Sequence, residues 1–216
     1  MIISLANQKG GCSKSTTAVH LCHWLKTQGE RDVLLVDADA QRSSSIWLDS
    51  LDIDIPFKVV QSPDDLLDHL PELAEKCEAL VVDGPAGLSE STRAILFRSD
   101  IAVVPCQPSG VDIRSAADAV KLIRQAQSVR NGPPDAVLFL SRAVKGTKLK
   151  EEALTVLKKS GFDILTTTIH QRQVIADCFG QRATVWEMAG KAAKDAQTEY
   201  SSLFTEIIKR INNGNS

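Results

Sequence analysis

The chain has 216 residues and a formal net charge of −2, with 43% hydrophobic and 24% charged residues. The composition is ordinary for a soluble globular protein, and the length suits a single domain over residues 1–216 with a sizeable core. The near-neutral charge excludes a global field that would attract nucleic acid, and no apolar run approaches the roughly 18 residues of a membrane span.

The start of the chain and its cysteines predict a cytoplasmic protein. The chain opens directly on a strand-like segment and lacks the basic-then-apolar plan of a secretory signal. Its five cysteines are scattered without a CxxC pair, which favours free thiols. Residues 212–216 are small and polar, and we expect them to be a frayed tail.

Apolar, strand-like runs alternate with helix-like segments through most of the chain. The predicted strands cover residues 2–6, 33–37, 57–60, 79–83, 101–105 and 136–140, with a weaker one near 163–168. The predicted helices cover residues 15–28, 64–76, 89–97, 112–128 and 148–159. This alternation predicts an α/β fold with a doubly wound, mostly parallel sheet and helices on both faces. Ligands of such sheets bind beyond the carboxyl ends of the strands.

A glycine turn between the first strand and the first helix is the strongest functional signal. It reads Gln-Lys-Gly-Gly-Cys-Ser-Lys-Ser-Thr from residue 8 to residue 16. Gly10 and Gly11 can adopt positive φ and let the backbone approach phosphates closely. Lys14 would place its charge on the β- and γ-phosphates, the Ser15 hydroxyl would ligate Mg²⁺, and Thr16 could hold the α-phosphate. The sequence therefore predicts a nucleoside triphosphate site.

The turn departs from the ordinary phosphate-loop pattern G-x-x-x-x-G-K-[ST] at two positions. Gln8 stands where the first glycine belongs, and Ser13 replaces the glycine before Lys14. A serine costs little at that position if its φ is negative, and more if it is positive. Cys12 lies at a helix start near two lysines, where a thiolate is favoured, but we prefer the simpler interpretation of a loop side chain that points away from the phosphates.

Aspartates follow two of the apolar strands. Asp37 and Asp39 end the second strand, and Asp83 ends the fourth. A carboxylate in this position can hold Mg²⁺ through water and neutralise charge beside the phosphates, a role that fits Asp83. Each aspartate alone could equally be an ordinary turn former. Their occurrence downstream of the glycine turn favours a nucleotide site.

Residues Lys9-Gly10-Gly11-x-x-Lys14-Ser15-Thr16 resemble the deviant Walker A motif of the ParA/MinD group of ATPases. In that family the first lysine, here Lys9, reaches across a dimer interface to the phosphates of the partner's ATP. The resemblance implies an ATP-sandwich homodimer with Mg²⁺, in which Lys9 and Lys14 supply catalytic charge.

The same resemblance extends to the later strand ends. Asp37 and Asp39 match the switch I motif Asp-x-Asp-Pro-Gln with Ala40 in place of proline, which implies that Asp39 positions the attacking water and that Asp37 supports the metal shell with Ser15 and Asp83. Residues 84–87 look like switch II. The implied nucleotide contacts are Lys9, Gly10, Gly11, Cys12, Ser13, Lys14, Ser15 and Thr16, with Pro108 and Arg142 near the adenine.

Residues 168–174 look like a stretch shared by short plasmid-partition members typified by ParF. The resemblance thus implies a small ParA-type ATPase that positions a cargo, hydrolyses ATP slowly until a small partner protein stimulates it, and binds DNA without sequence preference. Such a protein is cytoplasmic and nucleoid-associated when ATP-bound. Arg172 and Arg182 are our preferred DNA contacts because they flank a loop-like region, although a solvated basic surface is an equally simple interpretation.

Three alternatives remain at this point. A MinD-like membrane switch would use an apolar C-terminal stripe, formed by Leu203, Phe204, Ile207, Ile208 and Ile211. We expect that stripe to dock on the core instead, without stable membrane association. A nitrogenase-reductase-like electron carrier would need cysteines for an iron–sulfur cluster, and only Cys106 follows a suitable strand. A metabolic ligase or kinase on the same fold would need a second pocket.

Overall fold

A computed structural model describes residues 1–87, 89–159, 161 and 163–214. The strands are β1 (Ile2–Asn7), β2 (Val33–Asp37), β3 (Phe57–Val59), β4 (Ala79–Ala86), β5 (Ile101–Cys106), β6 (Asp135–Ala143) and β7 (Asp163–His170). The helices are α1 (Lys14–Thr27), α2 (Ser43–Asp49), α3 (Pro63–Ala74), α4 (Glu90–Arg98), α5 (Gly110–Arg130), α6 (Lys148–Lys158), α7 (Gln173–Gly180) and α8 (Lys191–Gly214).

The strands form one seven-stranded sheet in the order β3-β2-β4-β1-β5-β6-β7, and its pairs are parallel. The predicted doubly wound α/β fold is confirmed. β1 occupies the centre between β4 and β5, so the loop that follows it emerges in the middle of the carboxyl edge. The strand order reverses beside β1, which makes this edge the expected ligand-binding position of the fold.

Alternate side chains of each central strand enter different cores. Ile3 and Leu5 of β1 point into a core built with α1 and α8, whereas Ile2 and Ala6 point to the opposite face, which α3, α4, α5 and α6 cover. Because both faces are buried, the strands read as continuous apolar runs without polar alternation, as a parallel sheet requires.

Two short helices were not predicted. α2 follows the Asp39 loop, and α7 fills the stretch between Arg172 and Arg182. The interpretation of that stretch as loop-like is therefore wrong. An apolar spacing of i, i+1, i+4 and i+5 in Val174, Ile175, Cys178 and Phe179 could have signalled α7, but eight residues give the pattern little length.

The C-terminal helix α8 packs on the core. Leu203, Phe204 and Ile207 are fully buried, and Ile211 is nearly so. The apolar stripe is thus used inside the fold, as expected, which leaves it unavailable for lipid in this conformation. α8 continues to Gly214, so part of the expected frayed tail is helical, and residues 215–216 lie outside the described part of the chain. No helix of the described residues is long and apolar enough to cross a bilayer.

α8 also covers the open side of the edge strand β7 with two glutamates. Glu206 accepts the backbone N–H groups of Thr166 (2.8 Å) and Thr167 (3.0 Å) and bonds both of their hydroxyls. Glu199 accepts the N–H of His170 at 2.9 Å. These carboxylates satisfy donors that a neighbouring strand would otherwise take, which protects the edge of the sheet.

We predict that Glu206→Gln destabilises the fold by about 1–2 kcal/mol at neutral pH, because the amide replaces one acceptor oxygen with a donor. Partial burial alone would raise the pKa of Glu206, but hydrogen bonds from Thr167 and Thr166 outweigh it and hold the pKa below its ordinary value of 4.5. A carboxylate whose pKa is lowered by folding contributes stability at pH values above its ordinary pKa. That contribution is lost as the pH falls below the ordinary pKa.

Urea unfolding between pH 3 and pH 7 measures this effect. Wild-type stability should fall as the pH drops below the ordinary glutamate pKa, and Glu206→Gln should lose less over the same range. Glu152→Gln, at an exposed position of α6, is the matched control and should behave as wild type. Equal stability of Glu206→Gln and wild type at pH 7 would contradict the proposed edge protection.

Candidate functional site

The predicted phosphate-binding loop between β1 and α1 is held in place by hydrogen bonds to its carbonyl groups. The Gly11 carbonyl accepts from Gln107 Nε2 (2.8 Å) and Arg142 Nη1 (3.2 Å), and the Cys12 carbonyl accepts from Ser141 Oγ (3.1 Å). In a trans peptide the N–H points opposite to the C=O. Holding these carbonyls toward the ends of β5 and β6 therefore turns the N–H groups of Cys12 and Ser13 the other way.

Ser13 adopts the left-handed conformation, with φ 80° and ψ 21°. Gly11 is also left-handed, at φ 74°. Because its φ is positive, Ser13 places a Cβ in a backbone conformation that suits glycine, and the serine is therefore strained. Ser13 also lines the cavity beside the loop, so the strain is located at the predicted binding site.

The two lysines of the loop are held differently. The Lys14 side chain is almost buried, lines the cavity, and donates to the Lys9 carbonyl at 3.2 Å. The Lys9 side chain is 41% exposed, and its Nζ lies 2.9 Å from Asp112 Oδ2 in an ion pair with a carboxylate that is 2% exposed. Ser109 Oγ donates to the same oxygen. Lys14 thus faces its own cavity, whereas Lys9 is held outside it.

Cys12 is not one of the described residues that line the cavity. Its side chain is buried, and its thiol donates to the Lys9 carbonyl at 3.1 Å. Burial raises the pKa of Cys12 and outweighs the charge of Lys14, so the thiol stays protonated at neutral pH. The interpretation of a loop side chain that points away from the phosphates fits this geometry.

Asp37 and Asp83 are register partners on the neighbouring strands β2 and β4, and both are fully buried. The Asp37 carboxylate accepts two backbone N–H groups, from Ser45 at 2.8 Å and from Asp39 at 3.1 Å. It thereby caps the first turn of α2, where Arg42 offers no capping side chain. Asp37 therefore holds residues 39–45 in place and also contributes its carboxylate to the site.

Asp83 is a buried group without a hydrogen-bond partner. Neither of its carboxylate oxygens bonds to any residue in the described part of the chain. Burial raises the pKa of Asp83 to about 7, and the charge of Asp37 adds to the increase. The hydroxyls of Ser15 and Ser44 and the charge of Lys14 lie near enough to oppose the shift, without a hydrogen bond of normal geometry. A cation beside Asp83 would supply the missing partner.

Mg²⁺ fits these donors. It prefers hard oxygen ligands and is commonly held by one or two protein groups together with waters and substrate phosphates. Ser15 lines the cavity, and the buried carboxylate of Asp83 lies near its hydroxyl. Within residues 1–87, 89–159, 161 and 163–214, no group of three or more His, Cys, Asp or Glu could hold a metal alone, so the ion would be shared with the phosphates.

A cavity of 860 Å³ extends from the loop along the carboxyl edge. Its lining includes the predicted residues Gly10, Gly11, Ser13, Lys14, Ser15, Thr16 and Asp39. Asp39 is half-buried, and its Oδ1 accepts the N–H of Gln41 at 2.9 Å. The lining also includes aromatic and aliphatic side chains that the sequence did not indicate as site residues, namely Trp47, Ile169, Ile175, Phe179 and Tyr200.

The four remaining predicted residues differ in accessibility. Arg142 is exposed and borders the cavity, whereas Pro108 is buried and is not one of the described residues that line it. Arg172 is 10% exposed and forms a two-point ion pair with Glu199, at 2.5 and 2.6 Å. Its guanidinium is therefore committed to the fold, which disfavours it as a DNA contact. Arg182 is exposed, on a left-handed backbone with φ 53°.

We predict that Ser13→Gly stabilises the nucleotide-free chain by up to about 1 kcal/mol, because glycine relieves the left-handed strain but adds backbone entropy to the unfolded state. Ser13→Ala removes the hydroxyl and keeps the strain, so it should show no gain. Chemical denaturation of the two variants and wild type measures the difference. Equal stabilisation by alanine would show that the hydroxyl, not the backbone, is costly.

We also predict that Asp83→Asn leaves the nucleotide-free chain at least as stable as wild type at neutral pH, because an amide avoids burying an unpaired carboxylate. The matched variant Asp37→Asn should cost about 1–2 kcal/mol, since one backbone N–H loses its acceptor. Thermal unfolding with and without Mg²⁺ and ATP tests both. The stabilisation that Mg²⁺ adds to ATP should disappear in Asp83→Asn, and an unchanged Mg²⁺ effect would exclude Asp83 from the metal site.

Comparisons with known proteins identify the family and the fold of the chain. The model for the CobQ/CobB/MinD/ParA nucleotide binding domain matches residues 3–185. Maintenance of carboxysome distribution protein A of Halothiobacillus neapolitanus is 26% identical over 210 residues, 95% of either chain. An ATP complex of McdA from Cyanothece aligns with a TM-score of 0.81 at 15% identity, over 96% of each chain. MinD of Pyrococcus horikoshii with Mg-ADP gives a TM-score of 0.74 at 21% identity, over 95% of each. With a matching domain model over most of its length, the chain belongs to the CobQ/CobB/MinD/ParA family of nucleotide-binding proteins.

Proposed function

We propose that this protein is an ATP-dependent positioning ATPase that hydrolyses ATP to ADP and phosphate as a homodimer. The observation that carries the proposal is the position of Lys9. This lysine belongs to the phosphate-binding loop, yet it is half-exposed, paired with Asp112, and not one of the described residues lining its own cavity. A second copy of the chain is the partner whose phosphates it could reach.

The groups around the cavity supply the parts that phosphoryl transfer to water requires, which are positioning and charge stabilisation. Lys14 would hold the β- and γ-phosphates, with Thr16 at the α-phosphate. Ser15 and Asp83 would hold Mg²⁺, which when bound neutralises phosphate charge. Asp39 faces the cavity from the β2 edge and would orient the attacking water, while Asp37 keeps that segment in place through its two backbone contacts.

Dimerisation and nucleotide state are coupled in this proposal. Lys9 has to leave Asp112 before it reaches another subunit. Its departure leaves a buried carboxylate without its cation, and Oδ1 of that carboxylate already lacks a hydrogen bond among the described residues. An uncompensated buried charge is costly. ATP offers Lys9 a second anionic partner, so ATP favours the dimer and hydrolysis releases it. Hydrolysis would be slow until a small partner protein stimulates it.

The names of the relatives support a role in cargo positioning. They include maintenance of carboxysome distribution and chromosome partitioning. We propose that the ATP-bound dimer is nucleoid-associated through non-specific DNA contacts, with Arg182 among them because it is basic and exposed. The MinD-like alternative loses its sequence support, since the apolar stripe of α8 is packed in the core.

We predict that ATP with Mg²⁺ shifts the protein from monomer to dimer in size-exclusion chromatography and retains it on DNA at low salt, whereas ADP or no nucleotide does neither. Lys14→Ala should abolish nucleotide binding. Lys9→Ala should bind ATP but fail to dimerise, and Asp39→Ala should accumulate as an ATP-bound dimer. Arg182→Ala should dimerise normally and lose DNA retention. A monomer in all nucleotide states, or rapid turnover by Asp39→Ala, would refute the proposal.

A further inference from the structure

His20 connects the phosphate-binding loop to a distant segment of the chain. It is fully buried on α1, and both ring nitrogens are used. Nε2 lies 3.2 Å from the Val185 N–H, which can only donate, so Nε2 accepts and Nδ1 carries the proton. Nδ1–H then donates to the Thr16 carbonyl at 2.7 Å. Burial lowers the pKa of His20 to about 4, which keeps this tautomer neutral under ordinary conditions.

Trp47 makes a parallel connection from α2. Its indole Nε1–H donates to the Ala183 carbonyl at 3.0 Å, and its ring lies at the cavity wall. His20 packs edge-on against Trp47, with centroids 5.5 Å apart, and stacks on Tyr200 at 4.5 Å. α2 follows the Asp39 loop directly, so Trp47 lies on the helix that continues from the segment that would hold the attacking water.

A third contact attaches the far end of residues 183–187 to α1. His23 Nε2 lies 2.7 Å from Glu187 Oε1, and the Glu187 carboxylate also accepts the N–H and hydroxyl of Thr184. His23 stacks on Trp186 at 5.1 Å. Residues 183–187, which we call the clasp segment, are thus attached to α1 and α2. Two of these attachments lead from the cavity lining, because His20 bonds the Thr16 carbonyl and Trp47 lies in the cavity wall.

The clasp segment lies between exposed basic residues. Arg182 precedes it, and Lys191 and Lys194 follow at the start of α8, all three exposed. Displacement of the Thr16 carbonyl or of α2 on ATP binding would therefore alter contacts that position this surface.

We propose that His20 and Trp47 are positioning residues that couple occupancy of the nucleotide site to the basic surface beside the clasp segment. The inference rests on the proposed function, because the coupling would serve to gate contacts between this surface and nucleic-acid phosphates. It deepens that function by naming the surface that changes and the two side chains through which the change passes.

Hydrogen–deuterium exchange of residues 183–187 with and without a slowly hydrolysed ATP analogue tests the coupling. His20→Asn keeps a donor near the Nδ1 position and loses the acceptor for Val185, whereas His20→Gln does the reverse. We expect His20→Asn to bind the analogue within about threefold of wild type while the nucleotide-dependent change in exchange falls at least about fivefold. His20→Gln should keep more of that change and bind the analogue less tightly.

Trp47→Phe provides a second variant if the histidine variants do not fold. It keeps an aromatic ring and removes the hydrogen bond to Ala183, and it should also reduce the nucleotide-dependent change. Trp24→Phe is the matched control, because the buried indole N–H of Trp24 makes no hydrogen bond in the described structure. It should retain the wild-type response.

The outcomes separate this inference from the proposed function. Wild-type responses in His20→Asn and Trp47→Phe would overturn the coupling, even if the protein dimerises and binds DNA with ATP. A nucleotide-dependent change at the clasp segment of wild type, lost in both variants, would support the coupling even if no DNA binding were found, in which case the proposed function would fail alone.

Discussion

The backbone pairing of β1 with its parallel neighbours β4 and β5 determines where the functional groups of this protein meet. Because parallel strands end at the same edge, the loop after β1 emerges between the ends of β2 and β4 on one side and β5 and β6 on the other. One side brings the carboxylates Asp37 and Asp83, and the other brings Gln107 and Arg142 to the loop carbonyls. Neither group is near the loop in sequence.

The predicted nucleotide site contains charged groups with few polar partners. Within the described part of the chain, Asp83 makes no hydrogen bond and one oxygen of Asp112 has none. The Lys14 ammonium contacts a carbonyl and a thiol sulfur. Unpaired buried polar groups destabilise a fold, and a phosphate–metal complex would supply the charges that these groups lack. The same groups would therefore make bound nucleotide a large contributor to the stability of the chain.

The sequence predicted the elements that are long and apolar, and the site residues that lie next to them. Continuous apolar runs marked the buried strands, and the lysine-flanked glycine turn marked the loop, because both signals are local. The ion pair of Arg172 could not be predicted from the sequence because its partner Glu199 lies 27 residues away on α8. Trp47 and Phe179 were missed because α2 and α7 are short and reach the cavity only through tertiary packing. The steric strain at Ser13 depends on a backbone dihedral angle that the sequence pattern does not specify.

The pairing of α8 with β7 has a consequence for how the chain fails as well as for how it folds. If α8 detached, the N–H groups now held by Glu199 and Glu206 would become an open strand edge, and Leu203, Phe204 and Ile207 would be exposed at the same moment. An unpaired edge beside a fresh apolar surface is a template for aggregation. A chain shortened within α8 should therefore aggregate instead of forming a smaller active protein.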